Sequence, residues 1–174
     1  VKSWEHRGVS PPRSENVIRG PQESFNEQIR ANTALIRKIL KDKDLMVEST
    51  TIGKRSNTPC AVMYIRDIAN ESLVQEVLKR VKNIDVDYIF DTGELEQLIE
   101  DSTFISAPQI IATERPDRVA MMLAQGNVAV AMDGSPFVLV MPATITEFLH
   151  TTEDNNIRYP YVNFIRIIRI IGVI

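Results

Sequence analysis

Histidine occurs twice in these 174 residues, cysteine once and glycine seven times, and aromatic residues make up only 6% of the chain. Each shortage excludes something. The histidines, His6 and His150, have no serine or cysteine motif beside them, so the constellation of nucleophile and base that acyl transfer needs is missing. The glycines never group after a strand-like run, which removes the dinucleotide fingerprint and the phosphate loop. Cys60 has no partner for an internal disulfide. It sits in the apolar run 60–65, where an unpaired cysteine behaves as a small buried hydrophobe. The few aromatics argue against a deep stacked-ligand pocket. A net charge of −3 provides no long-range field to gather a polyanion, so nucleic acid is excluded as a partner. No uninterrupted apolar run approaches the roughly 20 residues of a membrane span. Nothing in the chain calls for a cofactor.

What is present is a chain able to fold, since 44% of it is hydrophobic and 25% charged. Residues 1–21 are polar and broken by Gly8, Pro11, Pro12, Gly20 and Pro21, the composition of a linker or surface strand. Over residues 22–40, Phe25, Ile29, Ile36, Ile39 and Leu40 recur at helical spacing and predict a long amphipathic helix. Residues 45–52 and 60–65 read as two strands around a polar loop. Asn70 is placed to cap a helix whose buried stripe is Leu73, Val74, Val77, Leu78 and Val81.

A short strand is expected over 85–90, then a helix opened by Asp91 and Glu94 in the manner of a capping box. Residues 109–112 suit another short strand. Pro116 belongs in the first turn of a helix carrying Val119, Met122 and Leu123, which Gly126 can end. The strongest local pattern is residues 127–132, the turn Asp133-Gly134-Ser135-Pro136, and residues 137–141, a β-hairpin. Its near-continuous apolar strands imply helices on both faces of the sheet. Further helical pieces are expected over 143–148 and from about residue 161 to the end.

Two charged clusters carry residue types that chemistry could use. The acidic run 85–91 places Glu96 at the twelfth position of a calcium-loop frame, but Ile89 and Phe90 stand where an oxygen ligand and the turn glycine are required. Its carboxylates read as helix caps and strand ends. Residues 113–118 concentrate Glu114, Arg115, Asp117 and Arg118 at a helix start. These are either solvated end-of-helix charges or a contact surface in which Arg115 and Arg118 grip a carboxylate through the planar guanidinium fork. Near the C-terminus, Asn163, Arg166 and Arg169 recur at three-residue steps among Phe164, Ile165, Ile168 and Ile171. That amphipathic pattern suits the approach to a membrane, with the arginines reaching headgroups. The start at Val1 and the increasingly apolar end read as an excerpt from a longer protein.

Taken in order, Ile18-Arg19-Gly20-Pro21, Phe25-x-Glu27-x-x-Arg30-x-Asn32, Thr51-Ile52-Gly53-x-Arg55-Ser56 and Tyr64-Ile65-x-Asp67-Ile68-Ala69-Asn70 resemble the A-subunit family of spore germinant receptors. The residues of 95–101 and 113–119, Asp133-Gly134-x-Pro136-Phe137 and Pro142-Ala143-Thr144 continue the resemblance in the same order. It covers about residues 15–174.

The resemblance implies a receptor of the spore inner membrane that works with B and C subunits to detect small nutrients. It places this domain on the cytoplasmic side, joined to the membrane by the segment after residue 174. It supplies no catalytic residues. It also implies an α/β fold of two small lobes, each a mixed sheet flanked by helices. A linker or partial first-lobe segment then covers 1–21, an incomplete first lobe and joint 22–70, a second lobe with the hairpin at about 127–141 covers 71–151, and a membrane-approaching helix 152–174.

On this reading Arg19, Arg55, Arg115, Asp117 and Arg118 form polar contacts between lobes or subunits, and Arg166 and Arg169 face the membrane. A competing reading has the nutrient itself in the interlobe cleft, its carboxylate held by Arg19 or Arg118.

Overall fold

In the computed structural model, the structure describes residues 23–100 and 109–143. Among these residues four helices and five strands follow in the order α1 (Ile29–Ile39), β1 (Leu45–Ile52), β2 (Thr58–Ile65), α2 (Glu71–Lys82), α3 (Thr92–Ile99), β3 (Ile111–Thr113), α4 (Pro116–Ala124), β4 (Val128–Met132) and β5 (Val138–Met141).

Local chemistry explains most boundaries. The Asn70 side chain accepts the Ser72 amide at 3.0 Å, and Lys79, Arg80 and Lys82 oppose the dipole at the far end of α2. Pro116 occupies the first turn of α4, where its missing N–H costs no helix bond. Beyond that helix Gly126 turns the chain at φ +95°, and a Cβ there would come within 3.1 Å of the Ile68 carbonyl oxygen.

The strands form one sheet in the order β1-β2-β4-β5-β3, and every pairing is antiparallel. This corrects the expected mixed sheets. Strands from both sides of residue 70 belong to it, because β2 pairs with β4 from Cys60↔Met132 to Met63↔Ala129. Among the described residues there is therefore one sheet rather than one in each of two lobes. The strands of the hairpin are wholly buried, so β4 needs an apolar neighbour on its outer edge, and β2 has the matching run Cys60, Ala61, Val62 and Met63.

Both sheet faces are covered, as the apolar strands require. Val62, Val130, Met132 and Leu139 meet Val77, Val81, Leu95 and Ile99 of α2 and α3. Met63, Ala129, Ala131 and Val140 meet Leu35, Ile36, Val119 and Leu123 of α1 and α4.

Two expected elements differ. The first helix begins at Ile29, not residue 22, because tertiary partners take the backbone groups before it. Phe25 is buried in an extended segment, and its amide donates to the Glu114 carbonyl at 2.9 Å. Residues 85–90 form no strand. Their carbonyls serve the loop after β1 instead, Val86 accepting the Lys54 amide at 2.9 Å and Asp87 accepting the amides of Arg55 at 2.9 Å and Ser56 at 3.2 Å. The helices expected over 143–148 and from about 161 lie outside the described residues, apart from Ala143.

Candidate functional site

Asp133 and Gly134 follow β4 at one end of the sheet and hold the start of α1. Gln28, the N-cap of α1, provides no side-chain bond to the helix. Asp133 acts in its place from 104 residues away, its Oδ1 accepting the Ile29 amide at 3.0 Å. The Gly134 amide donates to the Glu27 carbonyl at 2.8 Å, and the Asp133 amide to the Pro59 carbonyl at 2.9 Å. Free helix N–H groups need such partners when buried.

The next residue reaches the opposite face of the sheet. Ser135, 1% exposed, donates through its hydroxyl to Asp91 Oδ1 at 3.1 Å and lies 3.0 Å from the Thr92 hydroxyl. Asp91 is the N-cap of α3, and the same oxygen accepts the Thr92 amide at 2.8 Å. One turn thus fixes the starts of two helices that cover opposite faces.

A second buried polar cluster secures the segment leading into α1. Asn32 Oδ1 accepts the Asn26 amide at 2.9 Å, and its Nδ2 donates to the Asn26 carbonyl at 2.6 Å. Asn26 in turn accepts the Gln28 amide at 2.9 Å. This side-chain ring replaces the helix bonds that residues 24–28 do not make.

Arg115 is the largest fully buried side chain among the described residues, 1% exposed. Its guanidinium grips Asp117 with both arms, Nε to Oδ1 at 3.1 Å and Nη2 to Oδ2 at 2.5 Å. It is therefore engaged within its own domain, at the start of α4. Arg118 is half-buried one residue beyond that carboxylate.

Arg55 sits elsewhere, exposed in the loop after β1, with Asp87 Oδ2 at 3.9 Å. Its loop bonds Val86 and Asp87, and residue 86 packs on the α2/α3 face, whereas α4 lies on the other. The structure brings Arg115 and Asp117 together and leaves Arg55 apart from them. Arg19, Arg166, Arg169, His6 and His150 lie outside the described residues.

Cys60 is fully buried, and desolvation pushes its thiol up to about 12. The Glu48 carboxylate, 2.7 Å from the Tyr64 hydroxyl, raises that phenol as well. Both groups hold their protons more tightly when folded, so their stabilisation is complete below the unfolded pKa values and is lost as pH rises through the folded ones. For Cys60 the window runs from about pH 9 to about 12. Urea unfolding is expected to show stability falling above pH 9, with a shallower fall in Cys60→Ala. A thiol reagent at pH 8 should label Cys60 only as fast as the domain opens.

Two recesses flank the sheet. A groove of about 690 Å³ runs between the start of α1 and β1–β2, with Glu27, Arg30, Thr33, Ser49 and Asp133 among its polar lining. A smaller recess of about 300 Å³ lies by α2 and α3, where Arg80 is engaged by Glu76 Oε1 and the Ile99 carbonyl, each at 2.8 Å. Among the described residues no group of three carboxylate, histidine or cysteine side chains is placed to hold a metal ion, and no helix is long and apolar enough to cross a membrane.

In the sequence, the residues that organise this end of the fold, Asn26, Asn32, Asp133 and Ser135, show no sign of the partners they bond. Asp133 reads as a turn residue and Asn32 as one more polar position on a helix. Only their spatial partners reveal the difference.

Comparison with known proteins places this arrangement. The family model described as Bacillus/Clostridium GerA spore germination protein matches residues 1–174. Spore germination protein B1 of Bacillus subtilis (strain 168) is 44% identical over 169 residues, which is 97% of this chain and 35% of that protein. Spore germination protein KA of the same organism is 40% identical over 171 residues, 98% of this chain and 31% of that protein. The chain thus spans about a third of the length of these relatives. The crystal structure of the N-terminal domain of the A subunit of the Bacillus megaterium spore germinant receptor GerK3 superposes with a TM-score of 0.57 at 48% identity, covering 70% of this chain and 97% of that one.

Proposed function

Since this chain belongs to the GerA family of Bacillus/Clostridium spore germination proteins, we propose that it is a non-catalytic relay and assembly domain of a nutrient germinant receptor. In this reading it lies on the cytoplasmic side of the spore inner membrane and works with B and C subunits. The chain beyond residue 174 enters the membrane, and Arg166 and Arg169 meet the headgroups.

The observation that carries the relay reading is the turn after β4. Because Asp133 and Gly134 hold the α1 segment and Ser135 holds the start of α3, a displacement on one face of the sheet reaches the other through three consecutive residues. Packed elements joined this way shift between discrete arrangements rather than deform gradually.

Asp133→Ala combined with Ser135→Ala is the direct test, in the full-length protein. Loss of a capping oxygen costs about 1 kcal/mol, so the domain is expected to stay folded and the receptor to keep its normal level. The nutrient response of the spores should slow at least several-fold. An unchanged response at unchanged receptor level rejects the relay role.

A second reading, nutrient binding by this domain, draws support from the groove beside α1, where Arg30 and Glu27 offer charges of both signs. A ligand that binds only the folded state raises its melting temperature by mass action. A reproducible upward shift with one amino acid, sugar or nucleoside would favour binding here, and no shift across such a panel would remove this reading.

A further inference from the structure

The segment between α2 and α3 exposes what a folded domain ordinarily covers. Phe90 is 74% and Tyr88 53% exposed, and their rings stack with centroids 5.9 Å apart and planes 2° from parallel. Leu98, 45% exposed, lies on α3 one turn beyond Glu94, the residue whose carboxylate accepts the Phe90 amide at 3.0 Å.

The segment that carries the rings is fastened from several sides. Ile89, between them, is buried, and its carbonyl accepts the Thr58 hydroxyl at 3.4 Å. The Asp87 carbonyl accepts two amides from the loop after β1. Rings presented on a pinned backbone lose little conformational freedom on binding, which is the property of interface anchors.

The segment itself carries only negative charge. Residues 84–100 contain Asp85, Asp87, Asp91, Glu94, Glu96 and Glu100 and no lysine or arginine. Lys54 and Arg55 of the neighbouring loop pair with Asp85 and Asp87, and Arg80 of α2 bonds the Ile99 carbonyl, so Asp91, Glu94, Glu96 and Glu100 supply the remaining negative charge. On α3, burial raises the Glu96 carboxyl, and the Glu100 charge adds a smaller push in the same direction.

From this combination we propose that the Tyr88–Phe90–Leu98 face is a docking surface for a protein segment bearing lysine or arginine beside apolar side chains. The apolar groups cover the rings and Leu98. The cations meet the carboxylates and the ring faces, whose quadrupole attracts positive charge. The negative rim disfavours anionic lipid headgroups and nucleic acid alike, and neither offers the matching apolar surface. This deepens the assembly reading above by stating the chemistry of the partner.

The test places a photo-reactive benzoyl phenylalanine at position 90 of the full-length protein in spores, with position 41, an exposed lysine site after α1, as control. The adduct at 90 is expected to form at least tenfold more than at 41. It should map to a protein segment holding lysine or arginine within a few residues of the attachment point. Tyr88→Ala, at an exposed site that leaves the fold intact, should lower its yield at least fivefold. Equal yields at 90 and 41, attachment to lipid, or attachment to a segment without basic residues each overturn the proposal.

The two readings fail separately. If Tyr88→Ala removes the adduct and the spores still germinate normally, the interface stands and its part in germination falls. If no adduct forms and the Asp133→Ala, Ser135→Ala spores are impaired, the interface falls and the relay stands.

Discussion

Replacing Arg115 with alanine is expected to destabilise the domain by about 3 kcal/mol, within the range for removing one partner of a buried ion pair. Its guanidinium is 1% exposed and bound to both oxygens of Asp117, so the substitution empties a large volume and deprives that carboxylate of two charge-assisted bonds. Arg115→Lys should recover only part of the loss, because an ammonium cannot reproduce the two-armed grip.

Arg55→Ala should change stability by less than about 0.5 kcal/mol, since an exposed pair at 3.9 Å contributes little. Urea midpoints measured on the three variants decide the matter. Similar midpoints for Arg115→Ala and the unmodified domain would show that the buried pair is dispensable. Charge reversal at Arg115 is consequently a test of folding, and any effect of it on germination has to be read beside the amount of folded receptor.

Asn32→Leu is expected to cost about 3 kcal/mol, even though leucine is close in size and favours helices. The substitution removes the bonds that Asn32 makes to both the amide and the carbonyl of Asn26, and losing such bonds at buried groups costs about 1–3 kcal/mol each. Asn26 is itself only 5% exposed, so water has little access to replace the lost bonds. A domain of this size has a total stability of about 5–15 kcal/mol, so the change should be visible as a lower urea midpoint with an unchanged slope. Amide exchange should localise it, with the segment before α1 and the first turn of that helix losing protection first. A midpoint equal to that of the unmodified domain would mean that Phe25 and the Glu27–Gly134 bond hold the extended segment before α1 without the help of Asn32.

Asn32 belongs to the motif of Phe25, Glu27, Arg30 and Asn32. Phe25 fills the core between α1 and α4, and its amide joins it to Glu114. Glu27 gives its carbonyl to Gly134, and Asn32 closes the ring around Asn26. These residues stabilise the extended path that leads into the helix. The helical spacing over 22–40 predicted the helix and its buried face, but it could not show that the first turns are surrendered to tertiary bonds.

What the sequence determined by itself follows from interactions between near neighbours. The Asn70 cap, Pro116 at the start of α4, Gly126 at its end, the stripe Val74, Val77, Leu78 and Val81 with Leu73 partly buried beside it, and the hairpin are all decided within a few residues. The ordered motifs likewise carried the family.

The tertiary structure decided what depends on partners far along the chain. The single antiparallel sheet needs β2 to choose β4, about 70 residues away, and alternating apolar strands do not name their neighbours. The cap of α1 comes from Asp133, the fate of residues 85–90 from the loop after β1, and the burial of Arg115 from the fold around α4. In each case a polar group of ordinary local appearance is committed by where the chain returns in space. Burial and hydrogen-bond satisfaction are properties of that return, not of the residues on either side.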